Sequence, residues 1–389
     1  MSDTDIETSP QSPQSPHDPA SQAQPAPSAR RPLPARILPL LGWAVLLVVL
    51  FLLPVYVPTE WLSVLCWVMA GGVAAMGLTM LIGQAGQFSL GQSFFLLLGG
   101  VTYTVLAAES DAEYVGFGLP PLVALIGTII ITGLVGAAFA PISGRLRGIY
   151  LGVASLSLVF LGYYLSHELP QFAGSASSGR YAPAFRIPGF DFAETKPSLM
   201  VLNVPIGASE RQFWLFALIT VIAYAIGRGA MKGRIGRGWR AVRDNEAVAT
   251  VMGVSVPGQK AKAFAISSAY GGLAGVMVVW WYSGLMKPDE AVEFGSYSTY
   301  TTIALLAMCV IGGLGSLGGA LVGSALVFGL PLALPLITGS SQTVDATGTA
   351  FTPIVITNLL FGALIVLIVL FEPRGFAGLG ARLRSLVRR

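Results

Sequence analysis

Four uncharged polar side chains lie close together at the junction of two long apolar runs: Gln84, Gln87, Ser89 and Gln92. Amide and hydroxyl groups both donate and accept hydrogen bonds, so such a group can bind a small polar solute without a fixed charge. A free amino acid or urea offers the matching donors and acceptors. The same side chains would also suit a hydrogen-bond network between helices in a tight turn. The residue types leave both interpretations open.

A basic segment, 229–261, contains a pattern that predicts a helix. Four apolar residues recur at helical spacing on one face: Trp239, Val242, Ala249 and Met252. Arg240, Arg243 and Asp244 lie largely on other faces, and Gly253 is placed to end the helix as a C-terminal cap with positive φ. The sequence therefore predicts one short amphipathic helix over 236–253. Such a helix can lie on lipid headgroups or serve as a handle for a partner protein.

Glycines recur four residues apart in two apolar runs, and this spacing predicts close helix packing. One series is Gly315, Gly319 and Gly323, and the other is Gly271 with Gly275. Small residues on one face let two helix backbones approach closely in a membrane, where no hydrophobic effect drives helices together. The functional alternative is a smooth face along which helices slide during a transport cycle.

Ionisable residues are absent from the interiors of the apolar runs, and this absence limits the chemistry. Proton relays and intramembrane metal sites depend on such groups. The chain also contains no HExxH motif and no GxxxxGK[ST] phosphate-binding loop. Cys66 and Cys309 lie in apolar runs without any metal-binding spacing. The sequence therefore predicts no catalytic site, no metal site and no cofactor in this chain, so ATP would have to act through a separate polypeptide.

The composition is typical of a membrane protein. Of the 389 residues, 54% are hydrophobic and 11% are charged, whereas soluble domains have about 25% charged residues. A membrane helix needs about 20 mostly apolar residues. Ten runs qualify: 38–57, 61–82, 88–107, 119–141, 149–166, 212–228, 262–282, 298–313, 316–337 and 351–371. The predicted fold class is an all-α polytopic membrane protein with about ten spans, of which 88–107 and 298–313 are the weakest and can be partly re-entrant.

The positions of Lys and Arg predict the orientation, because these residues stay in the cytoplasm. With the N-terminus inside, 18 of the 23 Lys and Arg residues fall on the inner side. We therefore expect two cytoplasmic termini: a disordered tail at 1–35, a transmembrane domain at 36–375 and a basic tail at 376–389. The outer loop 167–211 divides the spans five and five, which puts the halves in opposite orientations, as in an inverted repeat. The inner loop is 229–261.

Four segments occur in the order found in one transporter family. They are 83–92, 145–151, 236–253 with the pattern Glu246-x-x-Ala249-x-x-x-Gly253, and 311–319. Together, over about 60–335, they resemble the inner-membrane permeases of ATP-binding cassette (ABC) importers, in the branched-chain amino acid (or urea) permease family. The third segment resembles the cytoplasmic coupling motif of these permeases. Gln92 stands where the family usually has His, a departure that bears on the substrate more than on the fold.

The resemblance implies a ten-span fold like that of ABC importers, and a set of partners. These are a second homologous permease, two ATPase subunits that carry ATP and magnesium, and an extracytoplasmic solute-binding protein, in a bacterial plasma membrane. Nucleic acid is not among them. The implied coupling residues are Gly236, Arg240, Arg243, Asp244, Glu246, Ala249 and Gly253. The implied function is a path for branched-chain or other small amino acids, without enzymatic activity. A urea or short-amide permease and a stand-alone secondary carrier are the alternatives.

Overall fold

The computed structural model describes residues 33–146, 148–175, 178–187, 190–192, 199–201, 204–288, 297–338, 359, 362–363, 366 and 375–378. The chain divides into two compact units, 1–49 and 50–389. In the first unit the described residues form the beginning of one helix, α1 (Leu33–Tyr56), which ends in the second unit. The predicted tails 1–35 and 376–389 and the predicted span 351–371 lie almost entirely outside the described residues.

Helices account for most of the described residues. After α1 they are α2 (Thr59–Thr79), which continues as a π-helical turn (Met80–Gln84), α3 (Gln92–Ala107), α4 (Pro121–Arg145), α5 (Ile149–Glu168), α6 (Pro170–Ala173), α7 (Ala208–Lys232), α8 (Arg234–Asp244), α9 (Glu246–Val251), α10 (Val256–Trp281), α11 (Thr299–Gly312), α12 (Leu317–Ser324), a second π-helical turn (Ala325–Gly329) and α13 (Leu330–Thr338). The all-α prediction therefore holds for the described spans.

Short strands lie in the loops between these helices. They are β1 (Arg180–Tyr181), β2 (Arg186–Ile187), β3 (Phe190–Asp191), β4 (Leu199–Val201), β5 (Val204–Ile206) and β6 (Leu285–Met286). They form three antiparallel pairs, β1 with β6, β2 with β3, and β4 with β5. The β1–β6 pair joins the long loop 167–211 to the residues that follow α10, so it ties two distant parts of the chain together.

Six helices of the described chain are long and apolar enough to cross a membrane: 59–84, 121–145, 149–168, 208–232, 256–281 and 317–337. Three further predicted spans correspond to shorter apolar helices, at 42–56, 92–107 and 299–312. The last two correspond to the weakest predicted spans, 88–107 and 298–313. Their 16 and 14 residues fall short of the roughly 20 that a full crossing needs. The protein is thus a multi-pass membrane protein, and the number of ten spans stays a prediction.

The centre of the second unit is built around α10, which packs against α2, α3 and α4. Small residues line these contacts. A Cβ atom at Gly275 would meet the carbonyl oxygen of Leu96 in α3, and one at Gly272 would meet the side chain of Thr132 in α4. Since lipid tails are as apolar as leucine side chains, close backbone approach rather than hydrophobicity stabilises such contacts. The glycines of α10 therefore determine where this helix lies.

Candidate functional site

The basic segment between α7 and α10 forms two helices, so the prediction of one continuous helix over 236–253 is wrong. The break falls at Asn245, whose backbone is extended at φ −162° and ψ 110°. Its side-chain oxygen accepts hydrogen bonds from the backbone N–H groups of Ala247 and Val248, at 3.0 and 3.1 Å. Asparagine is among the best N-cap residues, so it ends α8 and begins α9.

Gly253 ends α9 in the way that the sequence predicts. Its φ is +78°, a left-handed conformation that glycine adopts without steric cost. The N–H of Gly253 bonds to the carbonyl of Thr250 at 3.0 Å, and that of Val254 bonds to Ala249 at 2.9 Å. These two bonds form a Schellman motif, which satisfies the last carbonyls of the helix. The predicted positive φ at Gly253 is confirmed.

The predicted apolar face is only partly buried. Trp239, Val242 and Ala249 are 1 to 3% exposed and pack into the protein. Met252, which we expected on the same face, is 76% exposed because the kink at Asn245 turns α9 away from the direction of α8. Val248 and Val251 on α9 are exposed as well. The segment thus has an anchored part in α8 and an apolar tip in α9.

Two arginines of α8 bind the end of α2. Arg240 donates a hydrogen bond to the Gln84 side-chain oxygen at 3.2 Å and to the Met231 carbonyl at 3.1 Å. Arg243 donates to the carbonyl of Gly83 at 2.6 Å, and its other nitrogens bind the Asp244 carboxylate at 3.0 and 3.1 Å. Two sequence motifs, 83–92 and 236–253, therefore meet in space. Charge-assisted hydrogen bonds of this kind are about twice as strong as neutral ones.

A third motif joins the same contact. The amide nitrogen of Gln84 donates to the Gly315 carbonyl at 3.3 Å. The N–H of Gly315 in turn donates to the Thr79 hydroxyl at 2.8 Å. A Cβ at Gly83 would meet the backbone of Gly315, so these glycines permit the approach. Leu314 and Gly315 thus lie against the end of α2, and Arg240 and Gly315 both bind the Gln84 side chain.

Glu246 forms an ion pair within the chain. Its carboxylate lies 2.8 Å from the ammonium of Lys260 in α10, whose side chain is 4% exposed against 32% for Glu246. Lys260 also donates to the carbonyl of Ser143 in α4 at 3.3 Å. The pair joins the first residue of α9 to two of the central helices. The sequence pointed to Glu246 but not to Lys260, which is one of two lysines, with Lys262, at the start of an apolar run.

The four polar residues of the junction make their hydrogen bonds inside the protein. Gln92 donates to the carbonyls of Ala74 and Ser267, each at 3.2 Å, and accepts from the Ser267 hydroxyl at 3.3 Å. Gln87 donates to the carbonyl of Ala85, and Ser89 accepts from the N–H of Gly91. This arrangement matches the structural interpretation of the junction. A role of these side chains in the solute path stays a prediction.

The glycine series are only partly as predicted. Gly319 and Gly323 lie on α12, where added Cβ atoms would meet the backbones of Gly312 and Met308 in α11. Gly315 does not share their helix face, because α12 begins at Leu317 and Gly315 lies in the preceding turn at φ +82°. In α10, added Cβ atoms at Gly271 and Gly275 would both meet α3. Ser316 sets the start of α12 by accepting from the N–H of Gly319.

Metal-binding clusters are not found in the described part of the chain, which contains no group of three or more His, Cys, Asp or Glu side chains suited to an ion. Its two cysteines, Cys66 and Cys309, are free and buried. The site at the end of α2 consists of charged and polar contacts that connect α8 and α9 to α2, α4 and α10.

Comparisons with known proteins find relatives among amino acid permeases. The chain is 24% identical over 316 residues to the high-affinity branched-chain amino acid transport system permease protein LivM of Salmonella typhimurium, covering 78% of this chain and 66% of that protein. It is 24% identical to the permease protein BraD of Pseudomonas aeruginosa and 22% identical to LivH of Salmonella typhimurium, covering 78% of this chain and 90% of either relative.

The chain spans slightly less than two thirds of the length of the first of these relatives, LivM. No solved structure matches it. The model of the family described as "Branched-chain amino acid transport system / permease component" matches residues 61–369, most of the chain. The match includes the end of α2, α8, α9 and the turn at Gly315. The chain therefore belongs to the family of branched-chain amino acid transport system permease components.

Proposed function

We propose that this chain is the permease subunit of an ABC importer that carries branched-chain or other small amino acids across a bacterial plasma membrane. Membership of the permease family and the names of the relatives support this function. The distribution of Lys and Arg supports an orientation with both termini in the cytoplasm. In that orientation α8 and α9 lie on the cytoplasmic side, within reach of an ATPase.

One observation carries the proposal: the apolar tip of α9, in a segment rich in arginine. Val248, Val251 and Met252 are 56, 87 and 76% exposed. Three neighbouring exposed apolar side chains, two on the six-residue α9 and one at its C-cap Met252, suit a protein partner, since contact surfaces combine an apolar centre with a polar rim. The rim would be formed by Arg243 and Asp244. The tip of α9 would enter a groove of the ATPase subunit.

The contacts of α8 and α9 support a mechanism for transmitting force. A displacement of α9 would act on α10 and α4 through the Glu246–Lys260 pair. It would act on α2 through Arg240 and Arg243. The closing and opening of two ATPases, which bind ATP and magnesium, would thus move central helices of the permease and expose the path alternately to each side. A second permease of the same family and a solute-binding protein complete the importer.

The relatives favour amino acids over urea or short amides, because their names refer to branched-chain amino acid transport. A stand-alone carrier would work without partners. Leucine uptake by the purified chain in vesicles without ATPase subunits would favour that alternative. Leucine uptake that requires the ATPases and ATP would contradict it.

The tip of α9 gives the most direct test. We expect Val251→Asp to abolish ATP-driven leucine uptake in proteoliposomes and to reduce co-purification of the ATPase subunits by more than about tenfold, because a carboxylate would be buried unpaired in an apolar contact. Met200→Asp is the matched control, since Met200 is an apolar residue that is 71% exposed and lies in β4, before α7. Equal co-purification and uptake in both variants would contradict the docking role.

Gly253 provides a second test of coupling. A Cβ atom there would meet nothing within 4 Å, so a substitution changes only the backbone preference at φ +78°. We expect Gly253→Val to reduce ATP-driven uptake at least about tenfold while membrane insertion is unchanged, because a β-branched residue disfavours positive φ. Gly253→Asn, which tolerates this conformation, should retain most uptake. Uptake at the parent level in Gly253→Val would contradict a role of this helix cap in coupling.

A further inference from the structure

A cavity of about 550 Å³ lies at the opposite end of the helices from α8 and α9. It is bounded by the loop that follows α3 and by the loop that contains β1. Its charged and aromatic lining residues are Glu109, Asp111, Tyr114, Arg180 and Tyr181. The volume falls in the range of small-molecule sites. None of the eleven residues predicted for the solute path or for coupling contributes to it, so it is a separate feature.

Arg180 forms the buried cation of this cavity. The residue is 4% exposed, and its guanidinium lies 5.2 Å from the centroid of the Tyr114 ring. One terminal nitrogen, Nη1, donates to backbone carbonyls, the shortest bond being 2.7 Å to Val115. The other, Nη2, is buried without a hydrogen-bond partner among the described residues. Buried polar groups almost always have partners, so the unpaired nitrogen points to a missing acceptor.

The electrostatics of Arg180 agree with this reading. Burial lowers the pKa of its guanidinium, and the nearby Asp111 carboxylate opposes that effect. An arginine in protein stays charged nonetheless. The pairing of β1 with β6 positions the backbone of Arg180, opposite Met286, and the bonds of Nη1 to backbone carbonyls hold its side chain. A cation held in this way gains most from an anionic ligand that replaces its lost hydration.

Negative charge lies at the exposed rim of the same cavity. Asp111 accepts hydrogen bonds from the N–H groups of Glu113 and Tyr114 at 2.9 and 2.7 Å. These bonds lower the pKa of its carboxyl group and hold it ionised. Glu109 lines the cavity two residues earlier. The cavity thus presents a guanidinium at its buried wall and carboxylates at its rim.

We propose that this cavity binds the charged backbone of a free α-amino acid, with the carboxylate towards Arg180 and the ammonium towards Glu109 and Asp111. The proposal deepens the proposed function, on which it rests, by assigning an entry site for the solute on the permease itself. A zwitterion satisfies both kinds of charge, whereas urea satisfies neither. The cavity would therefore select α-amino acids over neutral amides before translocation.

Binding measurements with three ligands test this assignment. The full chain, assembled with its permease and ATPase partners in lipid nanodiscs without the binding protein, is titrated with leucine, 4-methylpentanoate and 3-methylbutylamine. The second lacks the ammonium group and the third lacks the carboxylate. We expect saturable binding of leucine, at least about tenfold tighter than either analogue, since each lost charge removes charge-assisted hydrogen bonds.

Charge-removing variants then separate the two ends of the cavity. In Glu109→Gln with Asp111→Asn, we expect leucine to bind at least about tenfold more weakly while 4-methylpentanoate binds as in the parent or more tightly. Arg180→Gln should weaken leucine binding by a similar factor, while 3-methylbutylamine should bind as in the parent or more tightly. Asp111→Asn retains the oxygen that caps Glu113 and Tyr114. Glu113→Gln is the matched control for the acids and Arg186→Gln, a residue 68% exposed at its side chain, is the control for Arg180.

Three results would contradict the assignment of this cavity as an amino acid site. If Arg180→Gln weakens all three ligands alike, Arg180 only holds the loops together through its carbonyl contacts, and the assignment fails. It also fails if leucine does not saturate the parent complex or if the variants bind like their controls. ATP-driven leucine uptake is measured in parallel with the parent complex in proteoliposomes that include the solute-binding protein, which keeps this failure distinct from a failure of the proposed function.

Discussion

Helices α5 and α10 have similar hydropathy but different surroundings. In α10, 78% of the apolar stretch is buried, whereas in α5 the buried share is 33%. Tyr164 and Phe160 on α5 are 61 and 57% exposed, while Met277 and Val276 on α10 are fully buried. Hydropathy therefore identifies both helices as membrane spans but does not tell which of them lies at the centre.

Glycine contacts explain the difference. In α10, Gly275 faces the backbone of Leu96, which cannot move without shifting α3. In α5, Gly152 and Gly162 face the rings of Phe88 and Phe94, which can rotate aside. Backbone-to-backbone contact requires glycine, while backbone-to-ring contact only favours it. The partner of a glycine, more than the glycine itself, therefore determines how strictly a helix is positioned.

The largest expected effect is at Gly275. Gly275→Leu should destabilise the protein by about 3 kcal/mol, because the new side chain would overlap the Leu96 carbonyl and force α10 away from α3. Denaturation by SDS titration in a fixed detergent measures this loss. Gly144→Leu near the end of α4 is the control, since nothing lies within 4 Å of its Cβ position. Similar stability of the two variants would contradict the importance of backbone contact in α10.

An intermediate effect is expected at Lys260, a buried charged residue near the start of α10. Lys260→Met should lower the free energy of unfolding by about 1–3 kcal/mol, because Glu246 would lose its partner. The loss stays in this range because the Glu246 carboxylate is exposed enough to reach water. The same denaturation assay measures it. Lys262→Met, an exposed lysine two residues along, should change stability by less than about 0.5 kcal/mol. Equal effects at the two lysines would show that the buried pair adds nothing.

The smallest effect is expected in α5. Gly162→Ala should change stability by about 1 kcal/mol or less, because the Phe94 ring, 2.5 Å from the added Cβ, can rotate and the higher helix propensity of alanine offsets part of the strain. Comparison with Gly275→Ala in the same assay sharpens the contrast between the helices. A loss of stability in Gly162→Ala as large as that in Gly275→Ala would contradict this difference between the two helices.

The candidate site was predictable in its parts but not in its assembly. The segments 83–92 and 236–253 are recognisable in the sequence, as is the cap at Gly253, because local backbone preferences decide it. The break at Asn245 was missed since the helical pattern continues across it and only the side-chain bonds to Ala247 and Val248 reveal it. Lys260 and Arg180 were counted only as loop charges. Their burial depends on contacts with distant residues.

The sequence by itself determined that this is a multi-pass membrane protein, because apolar runs of sufficient length can be satisfied only in lipid. The order of its motifs also indicated the family, which the family model confirms. Only the tertiary structure decided which helices lie at the centre, that Arg240 shares Gln84 with Gly315, and that Glu246 pairs with Lys260. These outcomes depend on which backbones come close together in space, and hydropathy and local propensity contain no information about that distance.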